Sequence, residues 1–136
     1  MARRTAQRPG HAAGARISRN GREGISYPFN WIVAIAILDD GGHLLHLIRM
    51  DGASPFNARA AIAKGKTAAE TRRSTLVWEE RIKAGRNSML GMPGITPVQG
   101  GLPIVVDNVC VGGIGASGVQ SHEDEQIIAA GIKALG

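Results

Sequence analysis

The chain has 136 residues, which is enough for one domain with a modest core. Its net charge of +5 belongs to residues 1–24, which carry six arginines and one acid, because residues 25–136 hold ten basic and ten acidic side chains. The single cysteine, Cys110, excludes an internal disulfide and a cysteine-based zinc site. The composition therefore indicates a neutral globular part behind a basic segment.

The basic segment, residues 1–30, is predicted to be an irregular N-terminal arm, with the folded domain over residues 31–136. Arginines attract phosphate, but residues 1–24 contain no Phe, Tyr or Trp that could stack on bases, so nucleic-acid binding is not the expected function. No signal-peptide core follows the arginines, and the apolar run 31–38 is too short to cross a bilayer. We expect a cytoplasmic protein without membrane contact.

The same apolar run, residues 31–38, is rich in β-branched side chains and predicts a central strand that is buried on both faces. Residues 39–42 provide a turn because they contain two aspartates followed by two glycines. Residues 43–49 then predict an antiparallel return strand. The domain is therefore expected to begin with a β-hairpin.

Two helices are predicted next. The first begins at Ser54, its N-cap, with Pro55 at the first helical position, and continues to about Arg73. One of its faces consists of small residues at helical spacing, namely Ala58, Ala61, Gly65, Ala68 and Ala69. Such a face lets the helix lie close to a sheet, and the alternative is a slot for a flat ligand between helix and sheet. The second helix is short and is predicted between residues 74 and 85.

Glycine is frequent in the last third of the chain. Residues 86–103 hold four glycines and three prolines without periodicity, which predicts a functional loop such as a lid or a pocket wall. A β-hairpin with a type I′ turn at Asp107-Asn108 is predicted to follow. Residues 113–118 match the G-x-G-x-x-G pattern of dinucleotide sites, but a Rossmann unit needs a second parallel strand, and only 18 residues follow Gly118. A dinucleotide site is therefore not predicted.

A last helix is predicted to begin at Ser121, with Asp124 as an imperfect capping-box partner of that N-cap. Its buried stripe is predicted at Ile128, Ile132 and Leu135. Two hairpins with helices between and after them predict an α+β fold with an antiparallel sheet.

Five short blocks of sequence carry a resemblance to a known family. They are Asp39-Asp40-Gly41-Gly42-His43-Leu44, Arg49-Met50-Asp51-Gly52-Ala53, Ala63-Lys64-Gly65-Lys66-Thr67-Ala68, Gly100-Gly101-Leu102-Pro103-Ile104, and Gly112-Gly113-Ile114-Gly115-Ala116-Ser117-Gly118 with Asp124 downstream. In this order they resemble the GlcG/HbpS family of small haem-binding-type domains, also found at the C-terminus of PduO-type corrinoid adenosyltransferases. The resemblance covers about residues 31–135. The family usually begins with a long amphipathic helix, but residues 2–30 contain several glycines and two prolines and show no apolar stripe, so either that helix is absent or the segment is an abnormal start.

The resemblance implies a profilin-like antiparallel sheet of about five strands with helices packed on its faces. It also implies homo-oligomers and a small-ligand pocket near the sheet edge. Some relatives bind haem or cobalamin, so the expected ligand is haem, another tetrapyrrole or another flat carboxylated molecule. The alternative is a lyase or isomerase in aromatic or hydroxy-acid catabolism. For haem iron, His46 has the most apolar surroundings of the candidate histidines, although a core histidine is the simpler interpretation.

Several residues are candidate ligand contacts. Arg49 ends a strand just before a helix, where it can bind a carboxylate through two hydrogen bonds, and the alternative is a surface pair with Asp51. Lys64 and Thr67 lie on one helical face, and Lys64 is either a second anion contact or a solvated lysine. The remaining candidates offer backbone amides and are Gly100, Gly101, Gly113 and Gly115.

Glu123 and Asp124 are the candidate catalytic residues, since a general base near the end of the glycine-rich strand could reach a ligand. The alternative is that both acids stabilise the helix dipole from the first turn. An enzyme built on these residues would work by proton transfer.

Overall fold

The computed structural model describes residues 31–135 and the backbone of two short strands in the preceding segment. The strands are β1 (Gly14–Ile17), β2 (Glu23–Ser26), β3 (Ala34–Asp39), β4 (Leu44–Arg49), β5 (Gly101–Val106) and β6 (Val109–Ser117). The helices are α1 (Pro55–Thr71), α2 (Thr75–Lys83) and α3 (Ser121–Ala134), with a short 3-10 helix at Asn87–Gly91. Over these described residues, the structure contains no helix of the length and apolarity that crossing a membrane requires.

One antiparallel sheet contains β4, β3, β6 and β5 in this order. The predicted α+β class and antiparallel sheet are confirmed, with four strands instead of about five. Strands β1 and β2 pair with each other and not with this sheet. They lie within the segment for which an irregular arm is predicted, and the division of the chain at residue 30 stays a prediction.

Local signals in the sequence account for the element boundaries. Ser54 caps α1, because its hydroxyl oxygen accepts the N–H of Asn57 at 3.3 Å, and Pro55 is the first helical residue. The turn between β5 and β6 has positive φ angles at Asp107 (50°) and Asn108 (63°), as a type I′ turn requires. Strand β6 is antiparallel to both of its neighbours, which confirms that the glycine pattern does not belong to a Rossmann unit.

The two faces of β3 are buried under different helices. One cluster of buried residues contains Ala34, Ala36, Leu38 and, from α1, Ala61. The other contains Val33, Ile35, Ile114, Ala116 and, from α3, Ile127 and Ile128. Because successive strand residues point to opposite faces, α1 and α3 cover opposite sides of the sheet. The prediction of a central strand buried on both faces is confirmed.

Helix α1 packs directly on the glycine-rich part of β6. A Cβ atom added to Gly113 would collide with the carbonyl oxygen of Gly65, and one added to Gly115 would collide with that of Ala61. The small-residue face of α1 therefore allows backbone-to-backbone packing. This confirms the interpretation that small residues let the helix lie close to the sheet. The alternative, a slot for a flat ligand between this helix and this strand, is wrong because the protein's own backbone fills the space.

The start of α3 differs from the prediction by one residue. Gln120 is the N-cap, and Glu123 is the third helical residue, whose carboxylate accepts the Gln120 N–H at 3.1 Å. The predicted capping pair of Ser121 and Asp124 is wrong, because the Asp124 carboxylate binds other groups.

The buried face of α3 also differs in part. Ile128 is fully buried as predicted, and Ile132 packs against the same cluster. Leu135 follows the last residue of the helix, Ala134, and is 78% exposed, and Ile127 is the second fully buried isoleucine.

Candidate functional site

A groove of about 630 Å³ opens beside the N-terminal half of α1. Helix α1, the loop before β5 and the junction between β6 and α3 form its walls. Its lining residues are Phe56, Arg59, Ala60, Ala63, Lys64, Thr96, Val98, Ser117, Val119, Ser121 and Asp124. The groove therefore lies on a face of α1 next to the small-residue face that contacts the sheet.

A buried ion pair forms the floor of the groove. The Lys64 Nζ donates to Asp124 Oδ2 at 3.0 Å and to the carbonyl oxygen of Ala116 at 3.1 Å. The other Asp124 oxygen, Oδ1, accepts the N–H of Val119 at 3.2 Å. The exposed fraction is 4% for Lys64 and 2% for Asp124. The interpretation of Lys64 as a solvated lysine is therefore wrong, and Asp124 does more than stabilise the helix dipole.

Burial raises the pKa of the Asp124 carboxyl above its usual value of 3.8. The hydrogen bond and positive charge of Lys64, and the N–H of Val119, act in the opposite direction because they favour the carboxylate. The groove thus contains a carboxyl group that holds its proton to a higher pH than an ordinary aspartate does. Such a group can donate or accept a proton in a site shielded from water.

An aromatic ring and a cation stand at the mouth of the groove. Phe56 is 62% exposed, and the Arg59 guanidinium carbon lies 5.7 Å from the centre of its ring. The sequence interpretation did not single out either residue. Their signal is nevertheless present, because Phe56, Ala60 and Ala63 recur at helical spacing and form a second apolar face of α1.

The predicted functional loop supplies one wall of the groove through Thr96 and Val98. We call residues 96–100 the wall segment. Thr67, predicted as a ligand contact, holds this segment: its hydroxyl donates to Ala63 O at 2.9 Å and accepts the Thr96 N–H at 2.9 Å. Thr67 is 1% exposed, so its polar atom is committed within the protein.

The four candidate glycines do not line the groove. Gly100 borders its floor, because a Cβ there would lie 2.8 Å from the Lys64 Nζ. The N–H of Gly101 donates to the Thr75 hydroxyl at 2.9 Å. Gly113 and Gly115 belong to β6, which pairs with strands on both sides and lies under α1.

The remaining candidates lie away from the groove lining. Arg49 and His46 are exposed on β4, the edge strand, and Asp51 is exposed in the turn that follows it. Glu123 caps the start of α3. Of the eleven candidates, the structure brings only Lys64 and Asp124 into the groove. Across the part of the chain that the structure describes, no three His, Cys, Asp or Glu side chains are grouped as a metal site requires.

Comparisons with known proteins agree with this architecture. The family model described as haem degrading protein HbpS-like matches residues 3–133. Protein GlcG of Escherichia coli K12 is 46% identical over 88 residues, which cover 65% of this chain and 66% of GlcG, slightly less than two thirds of that relative. A double mutant of HbpS from Streptomyces reticuli superimposes with a TM-score of 0.72 and 32% identity, over 78% of this chain and 73% of HbpS. The complex of PduOC with haem shares the fold, with a TM-score of 0.68 and 24% identity, over 75% of this chain and 77% of PduOC.

Proposed function

Because this chain belongs to the HbpS-like family, we propose that it is a small-ligand-binding protein whose groove takes a flat carboxylated molecule of the tetrapyrrole class, such as haem. The observation that carries the proposal is the apolar groove with an exposed ring and a guanidinium at its mouth. The family description names haem, and haem is the partner of PduOC in the related structure.

The groove suits a flat acidic molecule in size and in chemistry. Its volume of about 630 Å³ falls within the range of about 300–1,000 Å³ that small-molecule sites occupy. Phe56 offers a face for stacking, and Arg59 can hold a carboxylate through paired hydrogen bonds. Lys64 is already neutralised by Asp124, so the anion contact falls to Arg59 and not to the predicted Lys64.

The described lining residues fit a tetrapyrrole ring and its carboxylate, but not the iron of haem. None of these lining residues is His, Cys, Met or Tyr, the side chains that usually ligate haem iron. His46, predicted as the metal ligand, lies on β4 and is not part of this lining. The proposal therefore assigns these residues to the ring and the carboxylate and gives them no role toward the metal.

Titration of the protein with hemin and with metal-free protoporphyrin IX tests the proposal. We expect a shifted Soret band with hemin and a change in porphyrin fluorescence, both saturating at stoichiometric amounts. Arg59→Gln should weaken binding of either molecule by about tenfold, because a charge-assisted hydrogen bond to the carboxylate is lost. Absence of a spectral change with both molecules would overturn the proposal.

Arg81→Gln is the matched control for this experiment. Arg81 also lies over an aromatic ring, with its guanidinium carbon 5.0 Å from the centre of the Trp78 ring, and it does not line the groove. We expect this variant to bind hemin and protoporphyrin IX as the wild type does. Equal losses in both variants would contradict a specific role for Arg59.

A second candidate function is proton-transfer catalysis on an aromatic or hydroxy acid, and the buried Lys64–Asp124 pair in the groove favours it. In this case Asp124 would exchange a proton with the carbon next to the substrate carboxylate. Incubation of a 2-hydroxy acid or an arylacetate, both of which carry a hydrogen on that carbon, in D₂O, followed by proton NMR, would show loss of the signal of that carbon-bound hydrogen. Asp124→Asn should abolish the exchange, and exchange at the wild-type rate in this variant would rule out the mechanism.

We also propose that the protein forms homo-oligomers in the cytoplasm. The edge strand β4 supports the first part, because it exposes three leucines, Leu44, Leu45 and Leu47, beside a backbone edge that pairs with no other strand among the described residues. The cytoplasmic location stays a prediction from the sequence.

A further inference from the structure

We infer that Thr67 and Thr75 are positioning residues that fix the wall segment, residues 96–100, from its two ends and thereby set the width of the groove. The effect on ligand binding rests on the proposed function, whereas the effect on the wall segment does not.

The first end of the wall segment is held by α1. The Thr67 hydroxyl uses its hydrogen to donate to Ala63 O at 2.9 Å, and the same oxygen accepts the Thr96 N–H at 2.9 Å. Thr67 is almost fully buried, so its hydroxyl is committed to partners within the protein. The side chain of Thr96 lines the groove, so the position of a lining residue follows from the position of Thr67.

The second end is held by α2 and β6. Thr75, the first residue of α2, is fully buried, and its hydroxyl accepts the Gly101 N–H at 2.9 Å. The carbonyl oxygen of Gly100 accepts the N–H of Ala116 at 2.9 Å. The wall segment is thus a short span between two fixed points, and Val98 lines the groove from its middle.

The segment also satisfies part of its backbone internally, and its middle has one further side-chain contact, since Glu79 Oε1 accepts the Gln99 N–H at 3.5 Å. The two threonines are the fully buried side chains that hold its ends. The Val98 N–H donates to Thr96 O at 3.0 Å, and Pro97 has no N–H to satisfy. Loss of the hydroxyl at either anchor would leave a backbone N–H, buried at Gly101 and half-buried at Thr96, without its partner, and the segment would open to regain water contact.

Hydrogen exchange of the ligand-free protein tests this inference. Thr67→Val keeps the side-chain shape but removes the hydroxyl, so we expect the Thr96 amide to exchange about tenfold faster or more. Thr67→Ser should restore the wild-type rate, because it restores the acceptor. Unchanged exchange at Thr96 in Thr67→Val would overturn the inference.

Thr71→Val is the control for a general loss of stability. Thr71 lies one turn further along α1, and its hydroxyl donates to Thr67 O at 2.6 Å and accepts from Trp78 Nε1 at 3.2 Å, away from the wall segment. We expect Thr71→Val to leave exchange at Thr96 unchanged relative to amides of the sheet. Faster exchange across the whole protein in both variants would show a purely structural role for Thr67.

Binding of protoporphyrin IX provides the second readout. Thr67→Val should weaken it by about fivefold or more and Thr67→Ser should not, because a displaced wall no longer matches the ligand. Equal affinity of wild type and Thr67→Val would contradict the role in setting groove width. If wild-type protein does not bind the porphyrin, the proposed function fails, and the exchange measurements alone decide on the anchors.

Discussion

Lys64 and Asp124 share a hydrogen bond on the floor of the groove and have almost no contact with water. Transfer of two charges out of water is costly, and their mutual attraction offsets that cost only while both are present. Removal of one partner therefore leaves a buried charge without compensation. Loss of one residue of the pair is therefore expected to lower the stability of the fold more than loss of both.

Replacement of Lys64 tests this dependence. Lys64→Met keeps a long side chain but removes the ammonium group, so we expect the free energy of unfolding at pH 7 to fall by about 3–5 kcal/mol. The double variant Lys64→Met/Asp124→Leu should recover most of this loss, because no charge remains buried. Chemical denaturation measures both values, and an equal loss in the single and double variants would contradict a coupled pair.

The raised pKa of Asp124 makes stability depend on pH in a defined direction. The folded chain holds this proton more tightly than the unfolded chain, whose carboxyl titrates near 3.8. The stabilising contribution is therefore complete below pH 3.8 and is lost as the pH rises through the pKa of the folded state.

Carboxyl NMR of Asp124 should give a titration midpoint above 3.8. The difference in unfolding free energy between wild type and Asp124→Asn should fall as the pH rises over the same interval, because the amide does not titrate. A midpoint below 3.8 would mean that Lys64 outweighs burial, which is the opposite balance to the one given above.

At the scale of elements, contact between α1 and β6 depends on glycines that place two backbones against each other. Gly115→Ala inserts a methyl group where Ala61 O lies, so we expect a loss of about 2–3 kcal/mol in unfolding free energy, or failure to fold. Gly91→Ala is the control, since no atom lies within 4 Å of the Cβ that it adds. Its stability should stay within about 0.5 kcal/mol of wild type, and similar losses in both variants would contradict the packing explanation.

At the scale of the whole molecule, exposed leucines on the edge strand β4 lead to a prediction about assembly. Leu45 is 65% exposed, and Leu45→Glu should convert the proposed homo-oligomer into smaller species in light scattering after size-exclusion chromatography. Leu135→Glu changes another exposed leucine at the end of α3 and should leave the mass unchanged. A monomeric wild type would contradict self-association.

Much of the fold could be predicted because its signals are local. The cap at Ser54, the type I′ turn at Asp107-Asn108 and the apolar run of β3 each depend on neighbouring residues. The sequence also indicates the close packing of α1 on β6, because β6 is rich in glycine and one face of α1 consists of small residues. The number of strands in the sheet is four and not about five, because pairing between distant segments has no local signal in the sequence.

The groove was only partly predictable for the same reason. The sequence predicts Lys64 as an anion contact and Asp124 as a catalytic residue, and nothing in their local sequence indicates a contact across 60 positions. Thr67 is predicted as a ligand contact, whereas its hydroxyl binds the backbone of a loop 29 positions away. His46 has apolar sequence neighbours, yet an edge strand leaves it exposed, and sequence patterns do not distinguish an edge from a centre.

Helix α1 lines the groove on one side and touches the backbone of β6 on the other. Where it meets β6, at Ala61, Gly65 and Ala69, it has no long side chain that could absorb a shift. We therefore expect a displacement at this contact to reach Phe56 and Arg59 as a rigid-body movement. A relative with alanine or serine in place of the β6 glycines under α1 would hold the helix farther from the sheet and change the width of the groove at its opening. Substitution of these glycines would therefore change which molecules enter the groove without changing any residue that lines it.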